Sequence, residues 1–97
     1  MLALHPAERR RVTLVDDEPH ALDVLVRAAR SWDFDCQSAG SAEEALTMLE
    51  RQPTPIVVTD LRMPGRGGVW LVQEIQKRWP ETSIIVITAG LDDDALS

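Results

Sequence analysis

Val12-Thr13-Leu14-Val15-Asp16-Asp17-Glu18-Pro19 decides the fold class. Its first four residues read as a strand buried on both faces, the kind a parallel sheet covered by helices requires. Acids end the run, and Pro19 is tolerated in the first turn of a helix, where a missing N–H leaves no bond unmade. Beyond it Ala21, Leu22, Leu25, Ala28, Ala29 and Trp32 recur at helical spacing, predicting a helix over 20–31.

The same alternation continues along the chain. Phe34-Asp35-Cys36-Gln37-Ser38 alternates apolar and polar, as a half-exposed edge strand does. Ser41-Ala42-Glu43-Glu44 has capping-box spacing, and Ala42, Ala45, Leu46 and Leu49 form one stripe of a helix over 42–51, stopped by Pro53. Ile56-Val57-Val58-Thr59 is a second continuous strand, ending at Asp60 and followed by the Gly- and Pro-rich loop 61–68. A helix over 68–78 turns Leu71, Val72, Ile75 and Trp79 inward and closes at Pro80. Ile84-Ile85-Val86-Ile87 is the fourth strand, and Asp92-Asp93-Asp94 reads as the start of a further helix. The order β-α-β-α-β-α-β, with short connections, predicts an α/β fold built on a doubly wound, mostly parallel sheet. Residues 1–10 are expected to form a flexible lead-in and residues 11–97 a single domain.

Ninety-seven residues suffice for one small core and no more. Sixteen acidic residues against ten basic ones, a formal charge of −6, argue against direct binding of nucleic acid or an anionic membrane. Arg9-Arg10-Arg11 reads as a solvated lead-in, and His5 and His20 do not suggest a metal pair. The one cysteine, Cys36, cannot form an internal disulfide, and no secretory or membrane segment is visible, so a cytoplasmic location is expected.

In a parallel sheet of this kind, sites lie outside the carboxyl ends of the strands. Those ends carry Asp16-Asp17, Asp60 and Thr88. Taken singly, each has a structural reading: the aspartate pair as cap and first-turn acids of a helix, Asp60 as a turn cap, Thr88 as a hydroxyl satisfying backbone. Taken together, three carboxylates at one rim repel unless a cation compensates, and oxygen donors call for Mg2+ or a similar divalent ion. A carboxylate beside such an ion can attack phosphorus to give an acyl phosphate, and Asp60, on a central strand before an open loop, is the candidate.

With these residues in place, the chain resembles the receiver domain of two-component response regulators from about Arg11 to Ser97. The features that carry the likeness are Asp16-Asp17 with Glu18-Pro19, Asp60, the Met63-Pro64-Gly65 turn with Gly68, Thr88-Ala89, and the passage Ser38 to Leu46. The resemblance implies a flavodoxin-like fold with Asp60 as phosphoacceptor, served by a phosphohistidine on a sensor histidine kinase or phosphotransfer protein. It implies that Mg2+ is held by Asp17, Asp60 and the backbone carbonyl of Arg62, with Asp16 acting through water. Thr88 would turn its hydroxyl to the phosphoryl group, and the small Ala89 would leave access to it. An output domain in the parent chain would receive the signal.

The chain also departs from that pattern. An acidic residue often stands where this sequence has Gly67, and its absence is expected to loosen the loop. The family's fifth strand, with its lysine, and fifth helix are lacking; the only lysine, Lys77, lies on the third helix. On strand order 2-1-3-4-5, the segment 84–87 is then expected to present an apolar edge through which copies of the chain associate. Two other functions stand beside the phosphoacceptor reading: a pseudo-receiver or truncated module used for dimerisation without phosphorylation, and a phosphatase of the haloacid-dehalogenase type. The latter needs a second acid two residues after its nucleophile, where Asp60 has Arg62.

Overall fold

A computed structural model of the chain describes residues 10–87. The β-branched runs form strands β1 (Arg11–Val15), β3 (Ile56–Asp60) and β4 (Ser83–Ile87), and the half-polar segment forms β2 (Asp35–Ala39). Between them lie α1 (Pro19–Ser31), α2 (Ala42–Arg51) and α3 (Gly67–Arg78). The strands make one parallel sheet in the order β2-β1-β3-β4, so both central strands are covered on each face and are largely apolar.

The core accordingly divides in two. On one face Val12 and Leu14 of β1 pack with Ala29 of α1, joined by Ile56 and Val58 of β3. On the other, Val15 and Val57 meet Ala45, Leu46 and Leu49 of α2 and Leu71 and Ile75 of α3. Complete burial of Leu49, Leu71 and Ile75 contributes about 2 kcal/mol each relative to exposure.

The cap of α2 follows the chain's own signal. Ser41 Oγ accepts the Glu44 N–H at 3.1 Å, and Glu44 Oε2 reaches back to accept the Gly40 N–H at 3.1 Å, one residue further out than the standard reciprocal box. Thr13, expected as one more residue of an apolar run, is buried with a hydroxyl that needs partners. Thr54 Oγ1 donates to the Ile56 carbonyl at 2.8 Å, so Thr13 donates to Thr54 at 2.9 Å and accepts from Gln37 Nε2 at 2.8 Å. That chain ties β1, β2 and the α2–β3 connection together at the end of the sheet opposite the acidic residues.

Several boundaries and faces differ from expectation. β2 begins one residue later, because Asp33 takes a left-handed φ of 64° and the Phe34 N–H bonds to the Ala29 carbonyl at 3.0 Å. Phe34 thereby leaves the strand and packs beside α1. Trp32, read as part of the α1 stripe, is the C-cap residue and 70% exposed. Val72 is only half-buried. Trp79 caps α3 and packs against the larger core from its rim. Trp70 is half-buried, with the Arg66 guanidinium 4.9 Å above its ring. Arg10 and Arg11 lie 3.8 and 3.9 Å from Asp33 and Asp35, surface pairs of small energetic weight. The remainder of the lead-in falls outside the described residues.

Among the described residues β4 bonds to β3 alone, and its Ile85 and Val86 are 53% and 39% exposed. Ile85 also lines an apolar groove of about 260 Å³ shared with Leu25, Ala28, Trp32, Phe34 and Val58. No described helix is long and apolar enough to cross a membrane.

Candidate functional site

Parallel strands bring their carboxyl ends to one edge, and register sharpens this. Val15 of β1 pairs with Thr59 of β3, so the next residue of each strand, Asp16 and Asp60, meets across the sheet. The Asp16 N–H continues the ladder to the Ala39 carbonyl at 3.1 Å, which keeps the end of β1 straight up to its first acid. Carboxylate oxygens of Asp16, Asp17 and Asp60 all lie within 4.8 Å of one another, with Asp16 buried, Asp60 half-buried and Asp17 exposed. The expected convergence is present for these three.

Burial pushes the Asp16 carboxyl above its ordinary value. A hydrogen bond from the Glu18 N–H to Oδ1 at 2.9 Å opposes that shift, and the charges of Asp60 and Asp17 reinforce it. Such a carboxylate is held in its charged form most readily by a cation. All side-chain donors in the cluster are hard oxygens, without nitrogen or sulfur, the set that Mg2+ or Ca2+ takes and that softer metals do not require. The donor set therefore fits the ion expected from the sequence.

The structure distinguishes capping from site residues. The N-cap of α1 is neither Asp16 nor Asp17 but Glu18, whose Oε1 accepts the His20 N–H at 3.2 Å and Oε2 the Ala21 N–H at 2.7 Å. Those two N–H bonds hold the Glu18 carboxyl below its ordinary value. Asp60 does carry the turn bond anticipated for it, Oδ1 accepting the Arg62 N–H at 3.1 Å. One carboxylate oxygen serves the loop, and the carboxylate still takes part in the acidic cluster.

The loop after Asp60 depends on glycines at defined places. Gly65 and Gly67 have φ of 79° and 77°, a region that side-chain-bearing residues rarely adopt. Gly67 supplies the left-handed backbone that starts α3. At Gly68 a Cβ would collide with the Asp60 carbonyl oxygen and lie 2.7 Å from Leu61 Cα. The Gly68 N–H donates to the Leu61 carbonyl at 3.1 Å, seating α3 directly on the end of β3.

Arg62 is exposed on this loop, next to the cluster in sequence. Thr88 and Ala89 lie outside the described residues, and β4 runs to Ile87, in register with Asp60. Sequence reasoning missed the capping role of Glu18, although acid-acid-acid-Pro ahead of a helix contained the signal.

Comparison with known proteins agrees with this geometry. The family described as response regulator receiver domain matches residues 12–97. Over 83 residues the chain is 40% identical to the hydrogenase transcriptional regulatory protein HoxA of Cupriavidus necator, covering 86% of this chain and 17% of HoxA. The chain thus spans less than a fifth of that regulator's length. A response regulator receiver protein from Pseudomonas putida superposes with a TM-score of 0.79 at 30% identity, covering 98% of this chain and 77% of that one. The response regulator protein TrrA, crystallised in complex with the histidine kinase ThkA, superposes with a TM-score of 0.77 at 30% identity, covering 84% of this chain and 71% of the other. With a family match across most of its length and the acidic cluster at the expected strand ends, the chain belongs to the receiver domain family of two-component response regulators.

Proposed function

We propose that this receiver domain accepts a phosphoryl group on Asp60 and uses the modification to switch a protein interface. The supporting observation is the convergence of Asp16, Asp17 and Asp60 carboxylates within 4.8 Å at the strand ends. An Asp60 carboxylate oxygen attacks phosphorus of a phosphohistidine; the P–N bond breaks, its electron pair stays on the imidazole, and that nitrogen takes up a proton. Asp16, Asp17, Asp60 and the Arg62 carbonyl would hold Mg2+, which when bound offsets charge on the transferring group. Thr88 supplies the switch hydroxyl and Ala89 keeps the phosphoryl site accessible.

A sensor histidine kinase or phosphotransfer protein is the donor, a reading supported by the complex in which TrrA was crystallised. The output is a further domain joined to the receiver, as suggested by the transcriptional regulator HoxA, and the formal charge of −6 argues against nucleic-acid contact by the receiver itself. The setting is the cytoplasm. Incubation with acetyl phosphate and Mg2+ is expected to add one phosphoryl group by mass, and Asp60→Asn to abolish the gain. No gain in the unaltered chain overturns the proposal.

One observation favours a second reading, an interaction module that pairs copies without phosphorylation. β4 is uncharged and unpartnered on one side among the described residues, with Ile85 and Val86 exposed, whereas β2 at the other edge carries Asp35 and Gln37. On that reading sedimentation gives a dimer that Val86→Lys dissociates; a monomer at all concentrations removes it.

A further inference from the structure

Three consecutive acids, Asp16-Asp17-Glu18, follow β1, yet among the described residues only Asp16 and Asp17 join Asp60 in the carboxylate cluster. Glu18 is engaged elsewhere. Its two carboxylate oxygens accept the His20 and Ala21 N–H groups at 3.2 and 2.7 Å, and its carbonyl accepts the Leu22 N–H at 3.0 Å. Pro19, at the start of the helix, has no N–H to satisfy, so Glu18 takes the first donors that α1 offers. Its own N–H donates to Asp16 Oδ1 at 2.9 Å. One residue therefore closes the helix end and braces the buried carboxylate.

We propose that Glu18 is a positioning residue for the cation held by Asp16, Asp17 and Asp60, acting by keeping the N-terminal N–H groups of α1 occupied. The inference rests on the cation-binding part of the phosphoacceptor reading. An open helix N-terminus carries roughly half a positive elementary charge and free donors, and it draws in the nearest carboxylate. Aspartate is among the best N-cap residues, and Asp17 is the adjacent one. Without the Glu18 carboxylate, Asp17 becomes the replacement cap, and an oxygen bonded to helix N–H groups is turned away from Asp60. Glu18 itself does not touch the cation.

The test is a calorimetric Mg2+ titration of the 97-residue chain and of Glu18→Gln, Glu18→Ala and Glu18→Ser, all well below their melting midpoints, with amide exchange followed at His20 and Ala21. Glutamine keeps the acceptor oxygen and drops the charge; alanine removes both; serine is a shorter acceptor. The unaltered chain and Glu18→Gln are expected to bind within about twofold of each other, and Glu18→Ala about three- to tenfold more weakly with faster exchange at both amides. Glu18→Ser is expected to recover most of the loss, and the Gln–Ser comparison carries the test if Glu18→Ala does not fold. A merely structural role would lower the midpoint without moving affinity. Affinity in Glu18→Ala equal to that of the unaltered chain overturns the inference alone, as does a fall in Glu18→Gln to the alanine level. No Mg2+ uptake by the unaltered chain overturns the cation-binding reading and this inference with it.

Discussion

Gly68 lies against Asp60 so closely that a Cβ at position 68 would collide with the Asp60 carbonyl oxygen. The contact couples the first turn of α3 to the strand end that carries the central carboxylate, and it constrains one more feature, the φ of 77° at Gly67 that delivers the helix at that angle.

Gly68→Ala is expected to force β3 and α3 apart, at a cost of about 1–3 kcal/mol typical of overpacking against an unyielding backbone. Because the displaced atoms belong to Asp60 and Leu61, Mg2+ affinity should fall along with stability. Urea unfolding and a Mg2+ titration on the same variant check both parts. Unchanged stability would mean that the α3 N-terminus shifts freely.

Asp16→Asn is expected to separate stability from binding. Burial and the charges of Asp60 and Asp17 disfavour the ionised Asp16 carboxyl, while an amide oxygen can still accept the Glu18 N–H. At neutral pH without divalent cation the variant should melt a few degrees higher, on the order of 1 kcal/mol in stability. In saturating Mg2+ the order should reverse, since the unaltered chain gains binding energy that the variant loses. Differential scanning calorimetry with and without Mg2+ decides it.

Cys36 offers a pH-dependent reporter remote from the acidic cluster. Partial burial raises its thiol above the ordinary 9.0, with Asp35 adding to the shift and Arg30 opposing it. The unfolded chain therefore loses this proton first, so the thiol's contribution to stability is intact below pH 9.0 and is lost as pH rises through the folded value. Native Cys36 is expected to react with iodoacetamide at pH 8 about tenfold more slowly than in urea. Equal rates would show that β2 opens freely.

Much of the architecture was readable because its signals are local. Ile56-Val57-Val58 and Val12-Thr13-Leu14 read as strands with both faces covered, and Ala42, Ala45, Leu46 and Leu49 as one helix face, and the fold places them so. Errors gathered where local pattern meets tertiary geometry. Trp32 keeps helical spacing but falls at the C-cap, where the chain turns and exposes it. Phe34 alternates correctly for a strand but is drawn out of it by the left-handed Asp33.

The candidate site divides in the same way. Residue order alone established which side chains stand at the strand ends, since a parallel sheet must gather them at one edge. Which acid faces the cluster depended on how β1 and β3 align, a relationship between segments distant in sequence, whereas the cap follows locally from where Pro19 starts α1. Spacing offered Asp16 and Asp17 as cap and first-turn acids and passed over Glu18, which is the cap. Packing separated them, because hydrogen bonding to the His20 and Ala21 amides holds Glu18 at the helix, while strand register brings Asp16 beside Asp60 and leaves its buried charge needing a counterion.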